Sequence, residues 1–286
     1  MYTAKVENKN GDVLTLSGKE GLYQIINIMG LNPSSGQINT STAAGMDGAF
    51  YNSSKLLPKP LSITIKLNGN VEENRLRLYN FFRTKEWCRF YYITETRNVY
   101  IDGYVEAVEC NLFSRSEIVQ IAINCLYPYF RSVVENQIQA SNSAALFTFP
   151  FSINLDSPIP FSEYNSSGNV DVYNESESET GMTIEITVNN PVSTVQIRDM
   201  NSNDTITLNY PFVSNDKIII TTTQGQKSVT LIRGAEIINI FSAIQPGSSF
   251  LQLAAGINIF AYYANGVINS SKISLLFRYN NIYRGV

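Results

Sequence analysis

Leu61, Ile63, Ile65 and Leu67 are apolar, and Ser62, Thr64 and Lys66 between them are polar. That alternation predicts a strand with one face in a core and one in water. Asn68-Gly69-Asn70 is turn chemistry, and beyond it Val71, Leu78, Tyr79 and Phe82 share one side of a helix. The stretch Leu61–Thr94 therefore reads strand, helix, strand. Asn70 is expected to accept a bond from the N–H of Glu73 as N-cap, with Glu72 and Glu73 complementing the helix dipole. A lone helix of about a dozen residues is marginal in water, so it must lie on sheets built from the rest.

Those sheets are legible in the same pattern. Tyr2–Glu7 and Val13–Leu16 flank an Asn-Gly turn, and Leu22–Met29, Arg89–Thr94, Val99–Ala107 and Ile118–Cys125 follow as strands, with Val108–Leu112 extending Val99–Ala107 and Pro128 ending the run. From Gly30 to Leu57 the periodicity vanishes. About 28 structureless residues are long for a compact domain, and this polar loop is expected to be ordered against a partner or a neighbouring subunit.

Beyond Arg131 the strands shorten: Leu146–Ile153, Asn169–Tyr173, Met182–Val188, Thr194–Asp199, Thr205–Tyr210, Lys217–Thr222, Ser228–Ile232, Phe250–Leu253, Ile257–Tyr263 and Lys272–Tyr279. Ala235–Ile244 could hold a short helical turn. Turns about every ten residues argue a β-sandwich. The expectation is a mainly β chain in two domains, 1–131 a compact β-barrel with one packed helix and 132–286 a sandwich.

Composition narrows the chemistry. The chain has no histidine, hence neither the commonest general base nor the commonest metal ligand. Residues 1–131 hold 14 Lys+Arg against 12 Asp+Glu, and residues 132–286 hold 7 against 12, so neither half suits phosphate neutralisation. No specific nucleic-acid binding is expected. Cys88, Cys110 and Cys125 lack metal spacing and read as reduced thiols. The polar start, MYTAKVENKNGD, is unlike a signal peptide, and no run approaches the ~18 apolar residues of a membrane span.

The remaining candidates have plainer readings. Glu175, Glu177 and Glu179 could face one way and hold Ca²⁺, but read as a solvated loop. Asp102, Glu106 and Glu109 could imitate a glycosidase pair, yet Asp102-Gly103 is ordinary turn chemistry. Ser53, Ser54, Ser270 and Ser271 lack a histidine or a nucleophile elbow. The glycines at Gly18 and Gly21 have no nucleotide-binding spacing. Trp87, Phe90, Tyr91 and Tyr92 read as a wall with two buried faces rather than a sugar or base platform. Tyr210, Phe212, Tyr262 and Tyr263 could stack on a sugar, but read as packing.

Several stretches, in order, resemble one family: YQIINIMGLNPSSGQIN (Tyr23–Asn39), GMDGAFYNSSKL (Gly45–Leu56), the strand–helix–strand, DGYVEAVECNLF (Asp102–Phe113) and QIAINCLYPYF (Gln120–Phe130). They look like the N-terminal domain of phage distal tail proteins, the hubs of siphophage tail tips and baseplates. GNVDVYNESESETGMTIEITV (Gly168–Val188), TITLN (Thr205–Asn209), GINIFAYY (Gly256–Tyr263) and the last residues, FRYNNIYRGV, continue the likeness into the C-terminal domain. Where relatives often carry Gly-Asp, this chain has Ser176-Glu177.

The resemblance implies a split β-barrel with one packed helix, then a galectin-like β-sandwich. It implies a structural protein and no enzyme, without cofactor or metal. Six copies would form a homohexameric ring between the tail tube protein and the tail-associated hub protein, around the DNA channel. Receptor-binding or side-fibre proteins could dock outside. The location implied is the virion tail tip, after synthesis in the host bacterial cytoplasm, with no membrane insertion. Thr40, Met46, Asp47, Phe50, Tyr51 and Asn52 are the expected subunit or partner contacts. A carbohydrate-binding adhesion module is the alternative.

Overall fold

The computed structural model describes residues 2–16, 18, 21–112, 117–140, 143–145, 162–164, 169–268 and 271–286. The chain is mainly β, and one α-helix occurs among the described residues. It divides into two compact units, Met1–Val134 with Ile282–Val286, and Glu135–Asn281.

The first unit holds β1 (Thr3–Asn8), β2 (Val13–Leu16), β3 (Tyr23–Met29), β4 (Gly36–Ser41), β5 (Phe50–Leu56), β6 (Lys59–Leu67), α1 (Val71–Phe81), β7 (Trp87–Ile93), β8 (Asn98–Cys110), β9 (Ile118–Cys125) and the start of β10 (Phe130–Ala140). Its main antiparallel order is β2-β1-β7-β8-β9-β6-β3. Along β6 the predicted alternation holds: Leu61, Ile63, Ile65 and Leu67 are all buried, and the residues between them are not. The long β8 serves two neighbours. Asn98–Tyr104 pairs with β7 and Tyr104–Cys110 with β9, with a register shift between Val105 and Ala107. Gly103 stands at this handover because a Cβ there would lie 2.5 Å from Ile123 Cγ2.

Helix α1 seats Leu78 against the core, and Phe82 follows it inward, but Tyr79 stays exposed. The expected cap is absent. Asn70 makes no side-chain bond to a helix N–H; its amide instead donates to the Glu73 carboxylate at 3.2 Å. Asn74 does related work, burying its side chain and donating to the Asn68 carbonyl at 2.8 Å. The predicted two-faced wall at β7 is also corrected. Cys88 and Phe90 are buried, whereas Trp87, Tyr91 and Tyr92 are only half-buried. The outer aromatics keep polar partners there, and Tyr91 donates to Glu7 at 2.6 Å.

The second unit continues with a short pair, β11 (Ser143–Ala145) and β12 (Ser162–Tyr164). Then come β13 (Val170–Asn174), β14 (Thr183–Val188), β15 (Val192–Asp199), β16 (Thr205–Phe212), β17 (Lys217–Thr221), β18 (Ser228–Arg233), β19 (Glu236–Asn239), β20 (Gly256–Ala264), β21 (Val267–Ile268) and β22 (Ile273–Tyr283). One sheet runs β13-β20-β15-β16, with β21 on β20, and the other runs β22-β14-β17-β18-β19. Their inward residues form one apolar core, with Phe260 of β20 stacked on Phe277 of β22 at 5.2 Å.

One expectation is corrected here. Phe250–Leu253 is no continuous strand; Leu253 alone forms a backbone bridge, exchanging two 2.9 Å bonds with Thr180, and the amide of Asn174 also holds the carbonyls of Leu253 and Ala254 at 2.9 and 3.1 Å. The short helical turn expected within Ala235–Ile244 is the 3₁₀ turn Phe241–Ala243, preceded by β19. The strand predicted at Leu146–Ile153 lies outside the described residues. Asn174 also accepts from the Ser176 N–H at 3.0 Å, which gives the Ser-Glu variant of that loop its own turn.

Candidate functional site

The stretch expected to be a structureless loop is a β-arm. Among the described residues β4 and β5 pair with each other and with no other strand, and every residue from 35 to 58 is exposed. The strands are missing from the hydrophobic pattern because no core meets either face, and period two records burial rather than hydrogen bonding. Two rungs of polar side chains reinforce the ladder: Asn39 donates to Ser53 Oγ at 2.9 Å and Ser41 to Asn52 Oδ1 at 3.2 Å. Within β5 the Tyr51 and Ser54 hydroxyls meet at 2.9 Å. Gly45 and Gly48 adopt positive φ, +85° and +89°, at the tip.

A bulge gives the arm two unlike faces. Gly36, Gln37, Ile38 and Asn39 pair with Leu56, Lys55, Ser54 and Ser53; Asn52 is then extra, and Thr40 and Ser41 face Tyr51 and Phe50. Paired residues share a side. One face thus presents Ile38, Thr40, Tyr51, Ser54 and Leu56, and the other Gln37, Asn39, Ser41, Phe50, Ser53 and Lys55. Ile38 is 66% exposed and Tyr51 65%. A two-stranded ribbon without a core is marginal alone.

All six expected contact residues lie on this arm. Thr40 and Tyr51 share the apolar face, Phe50 lies on the opposite one, Asn52 is the bulge, and Met46 and Asp47 lie in the tip. Ile38 and Leu56 escaped the sequence reading. Their signal was only the short alternations Ile38–Thr40 and Ser54–Leu56.

The arm's root is fixed where the tip is not. Gly30 has φ +97°, and the Ser34 hydroxyl donates to the Pro128 carbonyl at 3.2 Å. Leu57 N–H closes the arm on Ser35 O at 2.9 Å. Lys59 is 1% exposed, and its ammonium donates to Asn32 O at 2.5 Å and Arg284 O at 3.1 Å, over the Phe130 ring at 5.0 Å. Burial holds its pKa below the usual lysine value.

The other candidate chemistry disperses. Asp102 accepts both Arg89 nitrogens, at 2.6 and 3.2 Å, with Arg131 3.9 Å away, while Glu106 and Glu109 are exposed further along β8. Glu175, Glu177 and Glu179 point outward, and no metal-holding group of carboxylates and cysteines forms among the described residues. Ser53 serves one of the arm's rungs, Ser54 meets Tyr51, Ser271 lends Asn189 only its carbonyl, and Ser270 lies outside the described residues. Burial pushes the Cys88 and Cys125 thiols up to about 12. Phe212 and Tyr262 are core residues and Tyr210 packs on Phe212 at 5.4 Å, so the four aromatics form no open platform.

Residues 175–281 match the family model described as the siphovirus-type tail component, C-terminal domain. The matched residues all lie in the second unit. The likeness in fold extends over the whole chain. The chain is similar to the crystal structure of SPP1 Dit (gp 19.1), described as a paradigm of the hub adsorption apparatus in phages infecting Gram-positive hosts, with TM-score 0.71, 13% identity and 99% of both chains covered. It is also similar to a chain of the phage P2 baseplate in its activated conformation with Ca, with TM-score 0.58, 15% identity and 100% of both chains covered. The Sr form gives 0.55, 16% and 98% of both. No curated protein matches by sequence. The mainly β, distal-tail-type fold expected from the residues is thus the fold observed.

Proposed function

We propose that this chain is a structural adaptor at the distal end of a phage tail, closing with five further copies into a ring. The arm carries the reading. Ile38, Tyr51 and Leu56 lie on one exposed face of a ribbon that no other strand covers among the described residues. Covering each such side chain is worth about 1.5–3 kcal/mol, which a neighbouring copy would supply. Closed rings use heterologous contacts, in which two different surfaces of each copy meet; an arm on one side and its seat on the next satisfy that.

The ring would join the tail tube protein to a tail-associated hub protein, and the tail-component domain would carry receptor-binding or side-fibre proteins. The first half's near balance of charge suits a channel that DNA crosses without being gripped. The role is structural and asks for no catalysis.

Native mass spectrometry and negative-stain imaging at high protein concentration test it. The wild-type chain should give sixfold species. A variant lacking Thr40–Asn52, or carrying Ile38→Ser with Tyr51→Ser, should stay monomeric with an unchanged melting temperature. Normal oligomers from the arm-deleted chain would refute the arm's part.

A further inference from the structure

We infer that Tyr283–Val286, acting with buried Lys59, is a clamp that sets the direction in which the arm leaves the first unit. The last residues grip the arm's first few from one side. Val286 N–H donates to Leu31 O at 3.0 Å. Gly285 runs so close that a Cβ on it would lie 3.0 Å from Pro33 Cδ and 3.1 Å from Leu31 O. Arg97 fastens this segment to the sheet: its guanidinium lies 4.3 Å over the Tyr283 ring and donates to Gly285 O at 2.7 Å.

From the other side comes Lys59, and its contacts join the two pieces. One ammonium bonds Asn32 O in the arm's root and Arg284 O in the clamp. A buried cation is costly unless its protons are all placed; here carbonyls and an aromatic face receive them. Asn32 is four residues before β4 begins. A carbonyl fixed there helps to fix the axis of a ribbon whose strands, among the described residues, pair only with each other.

The clamp is a property of the single chain, so it can be tested apart from ring formation. Only its consequence for assembly rests on the proposed function: an arm aimed wrongly would miss its seat. Hydrogen exchange at dilutions where the chain is monomeric reads it directly, because Leu57 and Val286 N–H are bonded across the root. Lys59→Met keeps the stem and removes the donors. It should speed exchange at both amides about tenfold or more, leaving the amides between β6 and β9 protected.

Should Lys59→Met lose all protection, Gly285→Val and removal of Arg284–Val286 leave the sheet core untouched. Each should speed exchange at Leu57, and Gly285→Val at Val286 as well, with the amides between β6 and β9 still protected. Unchanged exchange at Leu57 in these variants would overturn the clamp. A clamped wild-type chain that forms no rings would instead count against the ring reading only.

Discussion

Gly30 passes so close to Pro60 that a Cβ on the glycine would sit 2.3 Å from the Pro60 carbonyl oxygen. The glycine also holds φ +97°, outside the range an L side chain adopts easily. Gly30→Ala must therefore shift the backbone at the arm's root. The expected cost is about 1–3 kcal/mol, seen as a lower denaturation midpoint, together with faster exchange at Leu57. A midpoint equal to wild type would show that the root yields freely.

Arg89 and Asp102 form a two-bonded pair on the outer face of β7 and β8, with the guanidinium 4.2 Å over Tyr100 and 5.3 Å over Trp87. Both side chains are still more than a quarter exposed, so solvent screens the pair. A double-mutant cycle with Arg89→Ala and Asp102→Ala should give a coupling of about 1 kcal/mol, measured by urea denaturation. Neither single variant should change any glycan-hydrolysis readout.

Asp216 is fully buried beside Arg233, accepting its Nε at 2.9 Å and Nη2 at 2.6 Å and the Val213 N–H at 2.9 Å. The Arg233 hydrogen bonds hold its carboxyl below the ordinary 3.8. A depressed carboxylate stabilises the fold fully above its unfolded pKa, and the contribution fades as pH falls from there through the folded value. Asp216→Asn should be less stable than wild type at pH 7, with the gap narrowing below about pH 4. Denaturant titrations across pH 2–7 would check this; a constant gap would contradict it.

Cys88 and Cys125 are buried, and Cys110 is half-buried. With thiol pKa values near 12, Cys88 and Cys125 present a thiolate fraction on the order of 10⁻⁴ at pH 8. An aromatic disulfide reagent at pH 8 should modify at most Cys110 in the native chain and all three thiols in denaturant. Prompt labelling of Cys88 would mean that the sheet around it opens.

Much of this fold was legible because burial writes itself into alternation. β6 and β9 read directly, since one face of each meets the core. The sequence was silent where other forces set the backbone. The arm was missed because its strands have no buried face. The Phe250–Leu253 error arose because Leu251 and Leu253 face the core although backbone pairing there is limited to the Thr180–Leu253 bridge. At Asn70 the expected cap competed with the nearby Glu73 carboxylate, which took the amide. For the candidate contacts, composition found the arm, but only the register could say which residues share a side.

That register turns on Asn52. Were Asn52 paired opposite Thr40 and not bulged out, Tyr51 would fall opposite Ser41 on the side of Lys55, and Phe50 would move to the side of Ile38. Every residue would survive while the arm's outward character changed. The bulge in this segment is therefore as much a determinant of whom the arm can meet as side-chain identity.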